Sequence, residues 1–345
     1  MTQYINKKYI YEQADISDGG EISALLEKTA FNGDISLVYA KRPNAVISAD
    51  KDCEKSMIVI GRDADTREIK GAGICQIFKM IVRGKEENIA YLGGLRIDKN
   101  AALNIPASYK ILEKFIKENK VKYTYTTILE DNIYAQKMLE KKRKIMPYYQ
   151  KIAYYTVNIF PSKIKYKSNY ICKQASLSDT DKLIQFIKNK TKNIMFFPVI
   201  NDIQNFYILK DKNENILCCG KLWEQTDYKQ LIITKYSLKY QFLKKLSNPV
   251  LKLLNYPQFP NENEVIKYQT LSYVLYENNI CLKDFIKQIS HFTNYDFFVY
   301  GSADVHKFDF SPIKYKSYVY LADWDKNINI EELKQNKIYI ECGLL

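Results

Sequence analysis

The chain has 345 residues, a formal net charge of +13, 46% hydrophobic residues and 26% charged residues. The composition is that of a folded globular protein, and the length exceeds what a single hydrophobic core usually holds, so we expect two domains. No apolar run reaches the roughly 18 residues of a membrane-spanning helix, and the N-terminus shows no secretory signal, so we expect a cytoplasmic protein with no membrane partner.

The cysteines and the positive charge exclude some classes of function. Seven cysteines are irregularly spaced without a C-x-x-C pair, which predicts free thiols and no metal site. The lysines are scattered along the chain, and the tyrosines occur in every predicted strand, as β propensity favours. We therefore do not expect nucleic acid as a partner, although the net charge of +13 keeps that alternative or another anionic ligand open.

The N-terminal part of the chain predicts short strands around one helix. Residues 1–12 predict an edge strand, and a helix begins near Ser17, where small polar residues precede an apolar face. Residues 34–42 form a second short segment. The apolar runs 57–62 and 69–80 are separated by a polar turn, which predicts a β-hairpin.

The stretch from 91 to 139 organises the rest of the chain. It predicts a strand at 91–97, a loop, a helix with Pro106 in its first turn, a second strand at 121–129 and a helix that begins after Asn132. A strand that leads through a small-residue loop into a helix N-terminus is suited to an anion, because unpaired N–H groups and the helix dipole both favour negative charge.

This stretch resembles the acetyl-CoA core of the GNAT acyltransferase superfamily, and more narrowly a bacterial tandem-GNAT group. The residues that carry the resemblance are Tyr91-Leu92-Gly93-Gly94-Leu95-Arg96, Thr126-Thr127-Ile128, Asn132, Ala135, Leu139-Glu140 and Pro147-Tyr148. The resemblance implies an α/β (α+β) fold with two GNAT-type domains, each a twisted mixed, mostly antiparallel sheet flanked by helices. It also implies that the first helix and the 34–42 segment form a helix pair that covers the substrate groove.

The resemblance also assigns an acyl-CoA site. It implies that a backbone N–H of the core strand polarises the thioester carbonyl, that the loop and the next helix hold the diphosphate, and that Asn132 contacts the pantetheine arm. From the residues alone, Asn132 is equally a helix N-cap, and Arg96 is an exposed strand charge. The predicted acyl-CoA-binding residues are Leu95, Arg96, Ile97, Leu103, Asn104, Ile105, Pro106, Ala107, Ser108, Asn132 and Ala135.

The loop departs from the family pattern, which is Arg/Gln-x-x-Gly-x-Gly/Ala. Ala102 or Leu103 stands in place of the arginine, and Pro106 with Ala107 or Ser108 stands near the glycines. Losing one charge-assisted hydrogen bond of about 1.5–3 kcal/mol weakens binding by roughly 10- to 100-fold. The resemblance therefore implies a degenerate diphosphate loop.

The proton-transfer groups are not evident from the sequence. Leu139 stands where the family has the tyrosine that protonates the leaving thiolate. Glu130 ends the second strand and is a candidate general base, although an acidic residue before a helix N-terminus has a dipole explanation as well.

The second half of the chain repeats the first. We predict a first domain at 1–160, a linker at 161–168 and a second domain at 169–345. Residues 206–220 repeat the strand, acidic turn and strand of residues 58–71, each ending at a glycine.

The later strands of the two halves also correspond, but their loops differ. Residues 268–276 match the core strand, and residues 152–160 predict the strand that closes the first domain. The loop at 277–281 carries neither glycine nor cation, so we expect a degenerate second GNAT-like domain without catalysis. Trp223-Glu224-Gln225 and the segment 339–345 resemble further motifs of the tandem group.

The resemblance implies an N-acyltransferase that moves acetyl, or another acyl group, from acyl-CoA to an amine of a small molecule or peptide, without a metal. The alternative is a non-catalytic GNAT-fold protein that binds CoA or another anionic ligand as a sensor. Oligomeric state and the acceptor stay open, because the fold alone carries no code for either.

Overall fold

The computed structural model describes residues 4–5, 8–31, 33–304, 306 and 308–345. The strands are β1 Tyr4–Ile5, β2 Tyr9–Gln13, β3 Ile35–Ala40, β4 Lys55–Asp63, β5 Ile69–Val82, β6 Lys85–Ile97, β7 Tyr123–Leu129, β8 Tyr148–Pro161, β9 Ile171–Gln174, β10 Ile194–Pro198, β11 Phe206–Lys210, β12 Ile216–Glu224, β13 Gln230–Tyr236, β14 Val265–Ile266, β15 Tyr268–Tyr276, β16 Phe297–Ser302, β17 Ile313–Asp323 and β18 Lys337–Ile338. The helices are α1 Gly19–Glu27, α2 Ala45–Asp50, α3 Ile105–Glu118, α4 Ile133–Glu140, α5 Thr180–Thr191, α6 Leu238–Leu253, α7 Asn279–Ile289 and α8 Ile330–Lys334.

Most strands belong to one continuous mixed sheet that runs through both halves of the chain. Among the described residues this sheet has 15 strands, in the order β1-β2-β4-β5-β6-β7-β17-β8-β16-β15-β12-β11-β9, with β10 also paired to β5 and β18 paired to β10. We call residues 4–161 the first lobe and residues 171–345 the second lobe. A small sheet, β14-β13-β3, joins the lobes on one side.

The two lobes exchange their last strands. β17 of the second lobe lies antiparallel between β7 and β8 of the first lobe. β8 in turn pairs with β16 of the second lobe. The predicted strand at 152–160 is therefore present, but it completes the sheet of the second lobe and does not pair with β7.

An internal ion pair occurs at the same place in each lobe. Arg62 near the end of β4 bonds Asp18, which precedes α1, and Lys210 at the end of β11 bonds Asp179, which precedes α5, at 2.6 Å. In both cases the carboxylate also accepts a backbone N–H in a capping box. The repeat read from the sequence therefore extends to side chains that fasten the first helix of each lobe to its sheet.

The prediction of a helix pair near the N-terminus is wrong in its second member. Residues Ile35–Ala40 are strand β3, whose residues pair with β13 of the second lobe. β-Branched and aromatic residues in this segment favour the extended backbone. The predicted edge strand at 1–12 is found as β1 and β2, while its residues 1–3, 6 and 7 lie outside the described residues.

The hydrophobic core of the first lobe lies between the sheet and helices α3 and α4. Ile111, Leu112 and Ile116 of α3, predicted from their helical spacing, are buried against β4, β5 and β6. None of the helices in the described part of the chain is long and apolar enough to cross a membrane.

Candidate functional site

The core strand β6 separates from its parallel neighbour β7 at a bulge. Pairing of the two strands ends at Leu92 and Thr126, and the register with β5 shifts between Ala72 and Ile74. Gly94 lies in this bulge with a φ of +61°, and a Cβ there would lie 2.8 Å from Ile74 Cδ1. Glycine is therefore required, and the strands diverge beyond it to form a cleft.

The cleft opens into a cavity of about 620 Å³, which we call the central cavity. Its walls come from β5, β6, β7, α3 and α4 of the first lobe and from several residues of the second lobe. The second-lobe residues include Gln225, Leu231, Tyr268, Thr270, Val299, Tyr315 and Leu345. The site is thus completed by both halves of the chain, which the separate-domain prediction did not anticipate.

The predicted strand residues lie in the cavity wall. Leu95, Arg96 and Ile97 all line the central cavity. Arg96 is not an exposed strand charge: its Nε is buried without a hydrogen-bond partner among the described residues, and its Nη1 donates to the carbonyl of Leu95 at 2.9 Å. Burial lowers the pKa of Arg96, which stays a cation.

The loop before α3 is held from inside the lobe. The backbone N–H of Ala102 donates to the Tyr9 hydroxyl at 3.2 Å, and that of Asn104 donates to the Tyr11 hydroxyl at 2.6 Å. Leu103 lies so close above Gly71 that a Cβ at Gly71 would sit 2.2 Å from Leu103 Cδ1. Leu103, one of the two residues that could stand at the place of the arginine, therefore packs against Gly71 and also lines the central cavity. Two amides of the loop already have partners.

The first turn of α3 reaches the cavity in part. Ile105 and Ser108 line the central cavity, whereas Asn104, Pro106 and Ala107 are not among the lining residues. Pro106 lies in the first turn of α3, as predicted, where its missing N–H costs no hydrogen bond. This helix end therefore offers fewer free amides to a diphosphate than the predicted site assumed.

Asn132 is the predicted N-cap of α4 and lies in the cavity wall, while its contact with a pantetheine arm stays a prediction. Its side-chain oxygen accepts the N–H of Ala135 at 3.1 Å, so Asn132 caps α4, and both residues also line the central cavity. The structure does not bring Glu130 to them. Glu130 lines a separate groove of about 400 Å³, which we call the side groove, and lies 4.0 Å from Lys316.

Lys41, at the end of β3, is a cavity residue that the sequence analysis missed. It is 5% exposed, and its Nζ is buried without a hydrogen-bond partner among the described residues. Burial, with the nearby Lys229 ammonium, lowers the pKa of Lys41 to about 7, although Asp52 and Cys53 oppose the shift. A lysine directly after an apolar strand was the available signal.

Asp52 does not pair with Lys41 because other groups occupy it. Lys229 lies 3.0 Å from the Asp52 carboxylate and donates to the carbonyl of Gly343 at 2.6 Å. Gln225, from the motif Trp223-Glu224-Gln225, donates to the same carboxylate and the same carbonyl, each at 2.8 Å. This motif therefore has a structural role in the wall of the cavity.

In the equivalent cleft of the second lobe the bulge amides are bonded by the chain itself, and a smaller cavity of about 210 Å³ remains beside Val274, Tyr300 and Tyr339. Pairing of β15 with β16 ends at Thr270 and Val299, and Tyr273 has a φ of +56°, as Gly94 does in β6. The N–H of Tyr273 donates to the Glu341 carboxylate at 2.7 Å, and that of Val274 donates to the Tyr339 hydroxyl at 3.0 Å. The amides of this second bulge are thus already bonded within the protein.

The described cysteines and possible metal ligands form neither a disulfide nor a metal-binding group. Within the described ranges, no group of three or more His, Cys, Asp or Glu side chains is placed to hold a metal ion. All seven cysteines are free thiols.

The chain was compared with known proteins. No protein-family model matches it, and no curated protein matches it in sequence. A structure of Saccharomyces cerevisiae N-myristoyltransferase with bound myristoyl-CoA matches with a TM-score of 0.52 at 9% identity, covering 98% of this chain and 90% of that chain. A second structure of that enzyme with bound myristoyl-CoA gives 0.50 at 10% identity, covering 93% and 80%.

A third similar structure is a GCN5-related glucosamine N-acetyltransferase region of a fungal multi-domain GH3 β-N-acetylglucosaminidase. The TM-score is 0.55 at 12% identity, and the match covers 92% of this chain and 38% of that chain. At these identities the likeness is one of fold. The predicted fold class, α/β with a mixed, mostly antiparallel sheet flanked by helices, is confirmed, although one continuous sheet runs through both predicted domains.

Proposed function

We propose that the chain is an acyl-CoA-dependent N-acyltransferase that works in the central cavity. The main support for this proposal is the contrast between the bulge in β6 and the bulge in β15. In β15 the amides of Tyr273 and Val274 are bonded by Glu341 and Tyr339, whereas the equivalent Gly94 and Leu95 of β6 line an open cavity. A backbone N–H in such a bulge can stabilise the oxyanion of an acyl-transfer intermediate.

The proposed reaction is direct transfer. The acceptor amine attacks the thioester carbonyl, a C–N bond forms, the C–S bond breaks, and the CoA thiolate leaves and takes up a proton. The amine must lose a proton to a base. Lys41 lines the cavity, and its Nζ has no hydrogen-bond partner in the described part of the chain, although it lies 5.5 Å from the centre of the Tyr39 ring. We assign that base to Lys41, whose flexible side chain can carry its amine into the cavity.

The fit to acyl-CoA is uneven along the molecule. The cavity volume of about 620 Å³ suits the acyl group, the acceptor and the end of the pantetheine arm. The diphosphate end lacks the usual loop, since Tyr9 and Tyr11 occupy amides of that loop. The remaining contacts are at Ser108 and the first turn of α3, so we expect weak acyl-CoA binding.

Release of free CoA thiol from acyl-CoA tests the proposal directly. Acetyl-CoA and longer acyl-CoAs are incubated with the protein and a panel of small and peptide amines. The proposal predicts slow thiol release even without the true acceptor. If the protein binds CoA and acetyl-CoA equally and releases no thiol over hours, it is instead a non-catalytic sensor. This second candidate function is favoured by the degenerate diphosphate loop.

Two variants locate the site. Ser108→Glu places a carboxylate beside the expected diphosphate and should raise the Kd for acyl-CoA roughly 10-fold, the effect of about 1.4 kcal/mol. Gln185→Glu on the exposed face of α5 adds the same charge elsewhere and serves as control. Equal effects of the two changes would mean that acyl-CoA binds by overall charge and not at α3.

The pH dependence of turnover tests the base. With a pKa of about 7, Lys41 is protonated below neutrality, so kcat should rise as pH passes through that value. Lys41→Met should lower kcat by roughly 100-fold and remove that rise. A merely structural Lys41 would change the rate without changing the shape of the pH profile, and that outcome would remove it as the base.

A further inference from the structure

Helix α6 has an inverted distribution of polar and apolar side chains. None of its residues is buried, although it is 16 residues long. Large apolar side chains repeat every three or four residues along the side that faces solvent. Their exposed fractions are 85% for Leu238, 66% for Phe242, 58% for Leu246, 54% for Val250 and 85% for Leu253. We call these five residues the α6 apolar face.

The opposite side of α6 contacts the protein through polar groups. Gln241 Nε2 donates to the carbonyl of Tyr236 at 3.2 Å, and Lys244 Nζ donates to that of Pro260 at 2.7 Å. The Asn248 side chain exchanges two hydrogen bonds with the backbone of Phe259, at 3.0 and 2.9 Å. A surface helix ordinarily turns its apolar stripe inward, so the α6 apolar face is left for something outside the chain.

The sequence through α6 carries only positive charge, while the carboxylates of Asp34 and Glu262 contact Ser237 and Tyr236 just before the helix. Between Asp227 and Glu262 the chain carries six lysines and no acidic residue. Lys239, Lys245 and Lys252 of α6 are exposed, and the last two lie seven residues apart on one flank of the helix. Apolar residues bordered by lysines on an otherwise basic protein of net charge +13 complement a surface that is apolar inside and anionic outside.

We propose that α6 binds the surface of an anionic lipid bilayer, with the α6 apolar face in the acyl-chain boundary and the lysines at the headgroups. A second copy of the chain is a poorer partner for this face. Contact between two α6 helices would bring together Lys239, Lys245 and Lys252 of both copies, and α6 carries no acidic residue to pair with them. The proposal is independent of the acyl-transfer function. The sequence predicts no membrane partner because no apolar run is long enough to span a bilayer. Binding of α6 to the bilayer surface does not require such a run.

The position of α6 would place a bound bilayer near the central cavity. Tyr240 of α6 lines the side groove, and this groove shares Leu129, Asp131 and Tyr315 with the wall of the central cavity. A bilayer held on the other side of the helix would therefore lie near one approach to the cavity.

Co-sedimentation with vesicles tests the proposal on the whole protein. We expect binding to vesicles of phosphatidylcholine mixed with phosphatidylglycerol and little binding to phosphatidylcholine alone. The variant Phe242→Glu/Leu246→Glu changes two exposed residues and should lower binding to background. Leu177→Glu/Ile184→Glu is the matched control, because those residues are 95% and 48% exposed near α5 and the added charge is equal.

The lysines are tested separately. Replacing Lys239, Lys245 and Lys252 with Gln should weaken binding to anionic vesicles by roughly 100-fold, since each lysine near the surface contributes about 1 kcal/mol. The control replaces Lys182, Lys188 and Lys192 with Gln, three exposed lysines around α5, and should change binding little.

Two results would overturn the proposal. One is equal binding of wild type and Phe242→Glu/Leu246→Glu to anionic vesicles, which would assign any binding to overall charge. The other is a wild-type dimer in solution that Phe242→Glu/Leu246→Glu converts to monomer without vesicle binding by either form. That result would show that a second copy covers the helix.

Discussion

Two buried lysines close to the central cavity have opposite surroundings. Lys229 lies 3.0 Å from the Asp52 carboxylate, and their side chains are 2% and 5% exposed. Lys41 has no hydrogen-bond partner in the described part of the structure. A buried charge is tolerated when it is paired and is expensive when it is not, so the two lysines should respond to the same substitution in opposite directions.

Lys41→Met should stabilise the fold at acidic pH. The folded pKa of about 7 lies below the ordinary 10.5, so the unfolded chain binds more protons between these values, and stability of the wild type rises with pH across that window. The gain from methionine, roughly 2–4 kcal/mol, is therefore largest below pH 7 and shrinks toward pH 10. Thermal unfolding across this pH range measures it. A gain that does not depend on pH would mean that the pKa of Lys41 is the same in the folded and the unfolded chain.

Lys229→Met should destabilise the protein by about 3 kcal/mol. The change leaves the buried Asp52 carboxylate without its cation, although Gln225 and Tyr228 still donate to it. Urea unfolding at neutral pH measures the loss, and the double change Lys229→Met/Asp52→Asn should recover part of it. If Lys229→Met leaves the free energy of unfolding unchanged, the hydrogen bonds from Gln225 and Tyr228 are enough to stabilise the buried Asp52 carboxylate.

Single residues were the hardest part of the site to predict. Asn132 could be predicted as an N-cap, because N-cap chemistry is local in sequence. Lys41 and Gln225 could not, because the fold brings Lys229 to Lys41 and brings Asp52 and Gly343 to Gln225 from more than 100 positions away. The inward turn of Leu103 likewise depends on space above Gly71 in β5, and no local pattern reports that space.

Among the helices and strands, local periodicity predicted the ones that turn their apolar residues toward the core. The helix α3 and strands β6 and β7 were predicted from their spacing. The strand β3 was misassigned because its partner is β13, in the other half of the chain. The helix α6 was not predicted, although its residues at 238, 242 and 246 have helical spacing.

Pro249 is a weak point in α6. It lies inside the helix, removes one backbone hydrogen bond and is exposed. Pro249→Ala should stabilise the helix by roughly 1–3 kcal/mol, because proline is far less favourable than alanine in a helix interior. Hydrogen exchange of the amides from 244 to 253 should slow accordingly, while Ser247→Ala, the control, should have a much smaller effect. Unchanged exchange would mean that contacts to Phe259, and not helix propensity, limit the opening of α6.

The exchange of strands determines how the whole molecule folds. β8 lies between β17 and β16, and β17 lies between β7 and β8, so neither lobe holds a complete sheet of its own. The sequence predicts a repeat from the similar strand and turn patterns of its two halves. It could not show which copy a strand would pair with, because β8 and β17 offer similar edges to either half.

Residues 1–165 and 166–345, expressed separately, should therefore each fail to give a monomer with a cooperative thermal transition. Each half alone exposes an unpaired strand edge that favours aggregation. The two halves expressed together should form a stable complex, and a protease site inserted between residues 163 and 168 should leave the cleaved protein folded. A well-folded monomer from either half would show that the exchange is not needed for stability.

The strand exchange also indicates an origin. A single-lobe ancestor could complete its sheet by lending its last strand to an identical neighbour, as a strand-exchanged homodimer does. Joining two such genes would preserve the interface and free one of the two sites from selection. The Glu341 and Tyr339 side chains that bond the amides of the second bulge are what such relaxed selection would allow. The chain would then be a fused dimer in which one subunit keeps the open site and the other supports it.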